Sequence, residues 1–185
     1  IINDLKRDQI ELFHGLSGEL PVGLDNVGIK SVVTIHDVLF LRYPEFYSFI
    51  DRNIYYRKFK HAAEAADTVI AISEQTKRDI VQYLGIPENK ITVVYQGCHQ
   101  AFKETYSVAQ KEALIKKYQL PKQFILNVGT IEARKNILVA VKALKNIDTT
   151  LVLVGRKTAY TKEITTFIAE NKLEQKVIFL QGLTP

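Results

Sequence analysis

Two adjacent cations follow a predicted strand in the second half of the sequence. The apolar run 124–128 leads into Gly129, a short polar loop delivers Arg134 and Lys135, and a predicted helix begins after Asn136. In parallel α/β sheets, ligands bind beyond the carboxyl ends of the strands, where helix N-termini present free N–H groups to anions. Arginine can donate hydrogen bonds to two oxygens at once, lysine supplies a point charge, and glycine lets the backbone approach an anion closely. The loop therefore predicts a diphosphate-binding site.

A purely structural interpretation of this loop is that the two cations merely flank a helix start. The helix dipole disfavours cations at that end, so the functional interpretation is preferred. No second and third glycine follow Gly129 at the spacing of the dinucleotide fingerprint, and no Gly-Lys-Ser/Thr sequence is present there. Dehydrogenases and P-loop ATPases are therefore poor candidates.

A histidine and a carboxylate end another predicted strand, the run 31–35. His36 is a candidate hydrogen-bond donor or proton shuttle at a substrate hydroxyl, and Asp37 is a candidate to orient a neighbour or accept from a hydroxyl. Metal phosphohydrolases also use His-Asp pairs, but His14, His61 and His99 do not supply further ligands at matching positions. The alternative is that His36 only stabilises the strand end.

Two weaker features lie in the same half of the chain. His14 and Gly15 end an apolar strand and are expected to line the same crevice as His36. Residues 52–66 mix aromatic and basic side chains at helical spacing, which suits contact with an anionic bilayer or an acidic acceptor. A helix packed on the sheet with a charged outer face explains this segment as well, and we favour the helix.

Six short β-branched runs alternate with helical patterns along the chain. They cover residues 31–35, 68–72, 91–95, 124–128, 151–154 and 177–180. Parallel strands need long crossover connections, so the alternation predicts parallel sheets with flanking helices. Odd and even positions of these runs are both apolar, and they point to opposite faces of a strand, so both faces of the sheets should be covered. Capping residues are expected at three helix starts, namely Ser73, Ser107 (with Gln110 in a capping box) and Asn136.

The charge changes sign near residue 105 and indicates a domain boundary. Residues 1–105 carry 12 Lys and Arg against 14 Asp and Glu, whereas residues 106–185 carry 13 against 6. Together with an aperiodic stretch, this predicts a first domain over 1–100, a linker over 101–107 and a second domain over 108–185. One continuous sheet of six or seven strands is the alternative. The basic second part suits a polyanion, whether nucleic acid, membrane surface or nucleotide phosphates.

The composition, 46% hydrophobic and 24% charged over 185 residues, excludes a disordered or fibrous chain. No apolar run approaches the ~20 residues of a membrane span, and the first residues lack the pattern of a signal peptide. Cys98 is the single cysteine, so an internal disulfide and a Cys-based structural zinc site are excluded. The single cysteine favours a reducing cytoplasm. The absence of methionine favours a piece of a longer protein, and the alternatives are that a leader was removed or that modified methionines are missing from the sequence.

Taken in order, the motifs resemble those of the retaining glycosyltransferases of family four, which have the GT-B fold and include mannosyl-, rhamnosyl- and glucosyltransferases. The resemblance covers nearly the whole chain. The matching motifs are Phe13-His14-Gly15, Thr34-Ile35-His36-Asp37, Tyr43-Pro44-Glu45, and the stretches 69–73, 90–97, 128–136, 151–155 and 177–182.

The resemblance implies a Rossmann-like α/β architecture of GT-B type, incomplete at both ends. It also implies a hexosyltransferase of polysaccharide or glycoconjugate synthesis. A nucleoside-diphosphate sugar would bind mainly to the second domain and a saccharide or lipid-linked acceptor mainly to the first, with retaining transfer in the cleft between them. No nucleic acid partner is implied. The enzyme is expected in the cytoplasm, with peripheral contact to the inner face of the membrane.

The resemblance assigns roles to individual residues. Lys135 would neutralise the leaving diphosphate, helped by Gly129, Thr130 and Arg134. His36 would be the catalytic residue at the sugar, with His14, Gly15 and Asp37 on the acceptor side, and Gly182 and Leu183 near the nucleotide base. No metal or other cofactor is expected, because Arg and Lys charge stabilises the departing phosphate.

Two departures from the family pattern stand out. Many relatives carry arginine directly after the glycine that corresponds to Gly129, where this chain has Thr130, so either Arg134 compensates or Lys135 carries more of the binding. The family's paired glutamates are expected beyond Pro185 and its glycine-rich first loop before Ile1, so the 185 residues alone are expected to be inactive. A nucleotide-sugar epimerase of the same fold and a non-catalytic nucleotide- or polyanion-binding module are the alternatives.

Overall fold

The structure, a computed structural model, describes residues 1–183. The chain divides into two compact units, one over residues 1–102 and one from Lys103 onward, and this boundary lies inside the predicted linker 101–107. Each unit has its own parallel sheet, one of four strands and one of three. The expectation of parallel sheets with flanking helices is confirmed, and the alternative of one continuous sheet is wrong.

The first unit is built on a sheet whose strands lie in chain order. The strands are β1 (Leu12–Gly15), β2 (Lys30–Ile35), β3 (Thr68–Ala71) and β4 (Ile91–Val93). The helices are α1 (Ile2–Arg7), α2 (Leu39–Arg42), α3 (Phe49–Ala65) and α4 (Glu74–Asp79). Val33 and Val69 are fully buried at the centre of the sheet. Helix α3 packs on this core through Tyr56, Phe59 and Ala62, which confirms the favoured interpretation of residues 52–66.

Asp67 ties the start of β3 to β2. Its Oδ2 accepts hydrogen bonds from the Ser31 N–H at 2.8 Å and the Ser31 hydroxyl at 3.2 Å, and its Oδ1 accepts from Lys30 Nζ at 3.1 Å. The backbone hydrogen bond from Ser31, followed by the hydrogen bond from the Lys30 ammonium, holds the pKa of the Asp67 carboxyl below its ordinary value.

We expect this carboxylate to make the protein less stable in acid. A carboxyl whose pKa is lowered in the folded state stabilises the fold above its unfolded pKa, about 4 for Asp, and this contribution is lost as the pH falls through the lower folded value. Asp67→Asn should therefore lower the free energy of unfolding at neutral pH, and the difference from wild type should vanish well below pH ~4. Urea unfolding at a series of pH values measures this. Asp25→Asn is the control, because within residues 1–183 that exposed carboxylate has no hydrogen bond; an equal acid dependence of both variants would contradict the prediction.

The second unit has a three-stranded sheet with β6 at its centre. The strands are β5 (Ile125–Val128), β6 (Leu151–Val154) and β7 (Val177–Leu180), in the order β5-β6-β7. The helices are α5 (Val108–Lys117), α6 (Ile137–Ala143) and α7 (Thr161–Glu170). Leu151, Val152 and Leu153 are buried on both faces of β6, as the sequence predicts for a covered strand.

Strand β5 differs from its prediction, since residues 124–128 were expected to form a buried strand. Ile125, Leu126 and Val128 are 48, 55 and 69% exposed. The reason is that the core of this unit is formed mainly by residues of β6, β7, α6 and α7, whereas no residue of β5 or of α5 belongs to it. An apolar run thus predicts the strand correctly but not its burial.

Two of the three predicted helix caps are confirmed. Ser73 Oγ accepts from the Thr76 N–H at 3.1 Å, and Ser107 forms the full capping box with Gln110. The helix after Ser73 becomes a π-helical turn over Ile80–Leu84 before it ends at Gly85. The prediction for Asn136 is wrong: its side chain makes no capping hydrogen bond, because a 3-10 turn over Ala133–Lys135 precedes it and its backbone is left-handed, with φ of 47°. The predicted apolar face of the following helix is confirmed, with Leu138, Val141 and Leu144 packed in one core.

Candidate functional site

His36 is in contact with segments that follow each of the other three strands of the first sheet. Its Nε2 lies 3.0 Å from the carbonyl oxygen of Leu16, in the loop after β1. Its Nδ1 lies 3.3 Å from Nε2 of Gln96, which follows β4. Its own carbonyl oxygen accepts from the Thr76 hydroxyl at 3.1 Å, on the helix after β3. The histidine thus stands at the carboxyl edge of the sheet, where parallel sheets bind ligands. Its catalytic role stays a prediction.

Asp37 and His14 are both engaged within the first unit. Asp37 Oδ1 accepts from the backbone N–H of Leu39 at 3.1 Å and so fixes the turn into α2. His14 Nε2 lies 2.8 Å from the hydroxyl oxygen of Thr34, on the neighbouring strand β2. Both residues are exposed, and their predicted part in acceptor binding stays a prediction.

Gly15 is required by the packing of the loop after β1. The residue is buried, and a Cβ placed on it would overlap the carbonyl oxygen of Glu19 and approach Leu20 within 2.9 Å. The absence of a side chain therefore lets residues 16–19 fold back over the end of β1. Its assignment to the acceptor side stays a prediction.

An ion pair holds α2, which follows Asp37, against α4, which carries Thr76. Arg42 Nη1 donates to Asp79 Oδ1 at 2.7 Å, and the largely buried Asp79 also accepts from Gln75 Nε2 at 2.8 Å. The hydrogen bond to the Tyr43 hydroxyl, followed by the charge of Asp79, raises the pKa of the Arg42 guanidinium. The elements around His36 are thus fixed by charged as well as neutral contacts.

The ammonium group of Lys135 lies against Gly129 at the carboxyl end of β5. A Cβ placed on Gly129 would overlap Lys135 Nζ, so the glycine leaves the space that the cation occupies. The backbone of Gly129 has φ of 141°, a conformation that side chains rarely permit. Within residues 1–183, the Lys135 ammonium has neither a carboxylate partner nor a hydrogen bond. Its charge is available to an anion from solution.

Arg134 is less available than the sequence suggests. Its Nη2 donates to Glu132 Oε1 at 2.7 Å, so a carboxylate in the same loop already neutralises part of its charge. The start of α6 is also partly engaged, because the N–H of Leu138 donates to the Tyr160 hydroxyl at 3.4 Å. The expectation of a helix start with free N–H groups is therefore wrong at Leu138, and Lys135 is the better anion-binding group.

Strand β6 brings a second glycine and a second basic pair to the same edge. A Cβ on Gly155, which follows β6, would overlap the carbonyl oxygen of Gly129. The N–H of Ile131 donates to the carbonyl oxygen of Arg156 at 2.9 Å, so the segments after β5 and β6 continue side by side. Lys157 Nζ lies 4.9 Å from the ring centroid of Phe179. The sequence prediction misses Arg156 and Lys157, although a glycine and two cations after an apolar run repeat the signal found after β5.

Gly182 and Leu183 lie beyond the third strand of this sheet. Gly182 has φ of 67°, and both residues are exposed. They share the carboxyl edge with Gly129 and Gly155 because all three strands are parallel. Their proximity to a nucleotide base stays a prediction. In the part of the chain that the structure describes, no group of three or more His, Cys, Asp and Glu side chains is placed to hold a metal ion.

A family model described as Glycosyltransferase Family 4 matches residues 2–101, which is more than half of the chain. The chain belongs to this family. The match confirms the family indicated by the motifs around His36. It covers the first unit, whereas the Lys135 loop lies outside the matched residues.

Curated relatives of this family-four chain include the serotype-specific mannosyltransferase WbdA of Escherichia coli. One WbdA sequence is 33% identical over 129 residues, and a second is 33% identical over 135 residues. These matches cover 67% and 69% of the chain but 16% of WbdA. The chain thus corresponds to a small part of the length of these relatives.

Solved structures confirm the GT-B fold. HepE of Anabaena, in complex with UDP and glucose, gives a TM-score of 0.72 at 23% identity, over 99% of this chain and 51% of HepE. A glycosyltransferase of Rickettsia africae gives a TM-score of 0.70 at 18% identity, over 98% of this chain and 49% of that one. None of the helices within residues 1–183 of the family-four chain has the length and apolarity needed to cross a bilayer.

Proposed function

We propose that the protein is a retaining hexosyltransferase that uses a nucleoside-diphosphate sugar in polysaccharide or glycoconjugate synthesis. The observation that carries this proposal is the Lys135 ammonium against Gly129, without a partner among residues 1–183, at the carboxyl end of a parallel strand in a family-four chain. The mannosyltransferase activity named for WbdA and the UDP and glucose bound to HepE support a nucleotide-sugar donor.

The second unit is proposed to hold the donor. Lys135 would bind the diphosphate, with the backbone of Gly129 and Thr130 close to the phosphate oxygens and Arg134 as a secondary group. Gly182 and Leu183 would lie near the nucleotide base. Positive charge fixed where the leaving diphosphate develops its negative charge lowers the barrier to transfer. We propose that these cations do this without a metal ion.

The first unit is proposed to hold the saccharide or lipid-linked acceptor at the edge formed by His14, His36 and Asp37. Contact with the inner face of the membrane is part of this proposal. Phe49, Ile50 and Ile54 are 73, 69 and 47% exposed on the first turns of α3, and Phe46 precedes them at 44%. Exposed aromatic and aliphatic side chains beside basic ones suit a bilayer interface.

Binding of nucleoside diphosphates tests the donor site. The test is a calorimetric titration of UDP, GDP, ADP and dTDP into the wild-type protein. The titration with the tightest-binding nucleotide is then repeated on the Lys135→Ala variant. One nucleotide should bind selectively, and the variant should weaken its binding about tenfold or more, as for loss of a charge-assisted contact of ~1.5–3 kcal/mol.

The polyanion-binding alternative gives a different result in the same experiment. Its support is the net basic charge of residues 106–185. Base-indifferent binding of oligonucleotides that weakens steeply with salt would favour it and contradict the donor site. Retention is tested separately, by NMR assignment of the anomeric configuration of the transferred sugar.

A further inference from the structure

Two cations follow each of the strands β5 and β6, and they differ in what they already bind. In the loop after β5, Arg134 is paired with a carboxylate at 2.7 Å, whereas Lys135 has no partner among residues 1–183. After β6, the Lys157 ammonium lies over an aromatic ring of β7, 4.9 Å from its centroid. The guanidinium of Arg156 is exposed and, in the part of the chain that the structure describes, makes neither a hydrogen bond nor an ion pair. Among the described residues, each strand end thus keeps one cation without a partner.

The backbone fixes the position of Arg156 beside the loop after β5. The register of β5 and β6 continues past the ends of the strands, where a parallel bridge pairs Ile131 with Lys157. Arg156 therefore lies opposite Thr130, and the Ile131 N–H donates to the Arg156 carbonyl oxygen at 2.9 Å. Paired strands lie about 5 Å apart, so the backbone of Arg156 is one strand spacing from the loop that carries Lys135. This placement depends on backbone hydrogen bonds and not on the conformation of an exposed side chain.

The order of the strands gives each of these two cations a different part of the donor. Along the carboxyl edge the order is β5, β6, β7, so Lys135 lies at one side, Arg156 in the middle and Gly182 at the other side. In the proposed function the nucleotide base lies near Gly182 and the diphosphate at Lys135. A nucleoside diphosphate that spans this edge then crosses the end of β6 with its α-phosphate. It reaches β5 with its β-phosphate, to which the sugar is bonded.

We propose that Arg156 binds the α-phosphate of the nucleoside-diphosphate donor, while Lys135 meets the β-phosphate. A guanidinium can donate two parallel hydrogen bonds to the oxygens of one phosphate, whereas an ammonium acts as a point charge. The assignment rests on the proposed function for the identity of the ligand and the position of its base. The place of Arg156 opposite Thr130 stands on the backbone register alone.

Calorimetric titration of the full-length protein tests the assignment. The two ligands are the tightest-binding of UDP, GDP, ADP and dTDP and the matching nucleoside monophosphate, which lacks the β-phosphate. Arg156→Ala should weaken the binding of both ligands about tenfold, because both carry the α-phosphate. Lys135→Ala should weaken the diphosphate by a similar factor but leave the monophosphate close to its wild-type affinity. Arg156→Lys keeps the charge and loses the paired hydrogen bonds, so its affinities should lie between those of wild type and Arg156→Ala.

Lys157→Ala is the matched control, because it removes the neighbouring cation, which lies over the Phe179 ring. Its affinities for both ligands should stay close to wild type. Unchanged binding of both ligands in Arg156→Ala, a loss confined to the diphosphate, or an equal loss in Lys157→Ala would overturn the α-phosphate assignment. A wild-type protein that binds none of the four diphosphates would instead overturn the proposed function, and the assignment with it.

Discussion

Lys135→Ala is expected to reduce sugar transfer by about 10²–10³-fold, the usual cost of removing one preorganised group that stabilises developing charge. The physical reason is that Lys135 is held against Gly129 at the end of β5, while Arg134 shares its charge with Glu132 at 2.7 Å. No other cation in this loop is equally free to meet a diphosphate. Initial rates at saturating donor and acceptor, measured on the full-length protein, give the change in kcat.

Two companion variants give this prediction its specificity. Lys116→Ala removes an exposed lysine from α5 in the same unit and should leave turnover close to wild type. Arg134→Ala should reduce turnover less than Lys135→Ala, because its guanidinium is already paired. Near-normal turnover of Lys135→Ala, or a larger loss in Arg134→Ala, would show that the diphosphate is held by other groups.

The parallel sheets were predictable because each strand carries its own local signal. The runs 31–35, 151–154 and 177–180 coincide with β2, β6 and β7 to within one residue. The helix starts at Ser73 and Ser107 are equally local, since the capping hydroxyl oxygen and the backbone N–H that donates to it lie three residues apart. Periodicity and capping depend on neighbours in sequence, and that is why they can be inferred from sequence.

Properties that depend on residues distant in sequence were not predictable in the same way. The exposure of Leu126 depends on which helices cover β5, and its apolar run does not encode that. The contact of His36 with Gln96 joins residues 60 positions apart. The left-handed backbone of Asn136 follows from the 3-10 turn before it, whereas the sequence pattern alone favours an ordinary cap.

The site shows the same division between local and distant information. Lys135 and Gly129 were identified from one loop, and the structure places them against each other. The pairing of Arg134 with Glu132 also joins residues close in sequence. It was not predictable, because two long side chains two residues apart can adopt many conformations in which they do not meet. The approach of Gly155 to Gly129 comes from the pairing of β5 with β6, and it makes a residue outside the predicted site essential to the shape of that site.

Gly155→Ala is expected to destabilise the second unit by about 3 kcal/mol or more, the combined scale of an overpacked contact and a strained backbone. The added Cβ would overlap the carbonyl oxygen of Gly129, and φ at Gly155 is 155°. The atoms that the added Cβ would meet belong to the backbone and not to the flexible end of a side chain. The overlap can therefore be relieved only if β5 and β6 move apart at the end that carries Lys135. Urea unfolding measures the stability, and calorimetric titration of the nucleoside diphosphate should show weaker binding in the fraction that remains folded.

Gly85→Ala separates backbone strain from overlap. Gly85 has φ of 70° but no atom within 4 Å of an added Cβ, so its replacement should cost only the ~1–2 kcal/mol of a left-handed residue. The excess cost of Gly155→Ala then measures the contact between the two strand ends. Hydrogen exchange should increase at β5 and β6 in Gly155→Ala and remain unchanged there in Gly85→Ala. Equal destabilisation by the two variants, with unchanged nucleotide binding, would mean that the close approach of Gly155 to Gly129 does not shape the donor site.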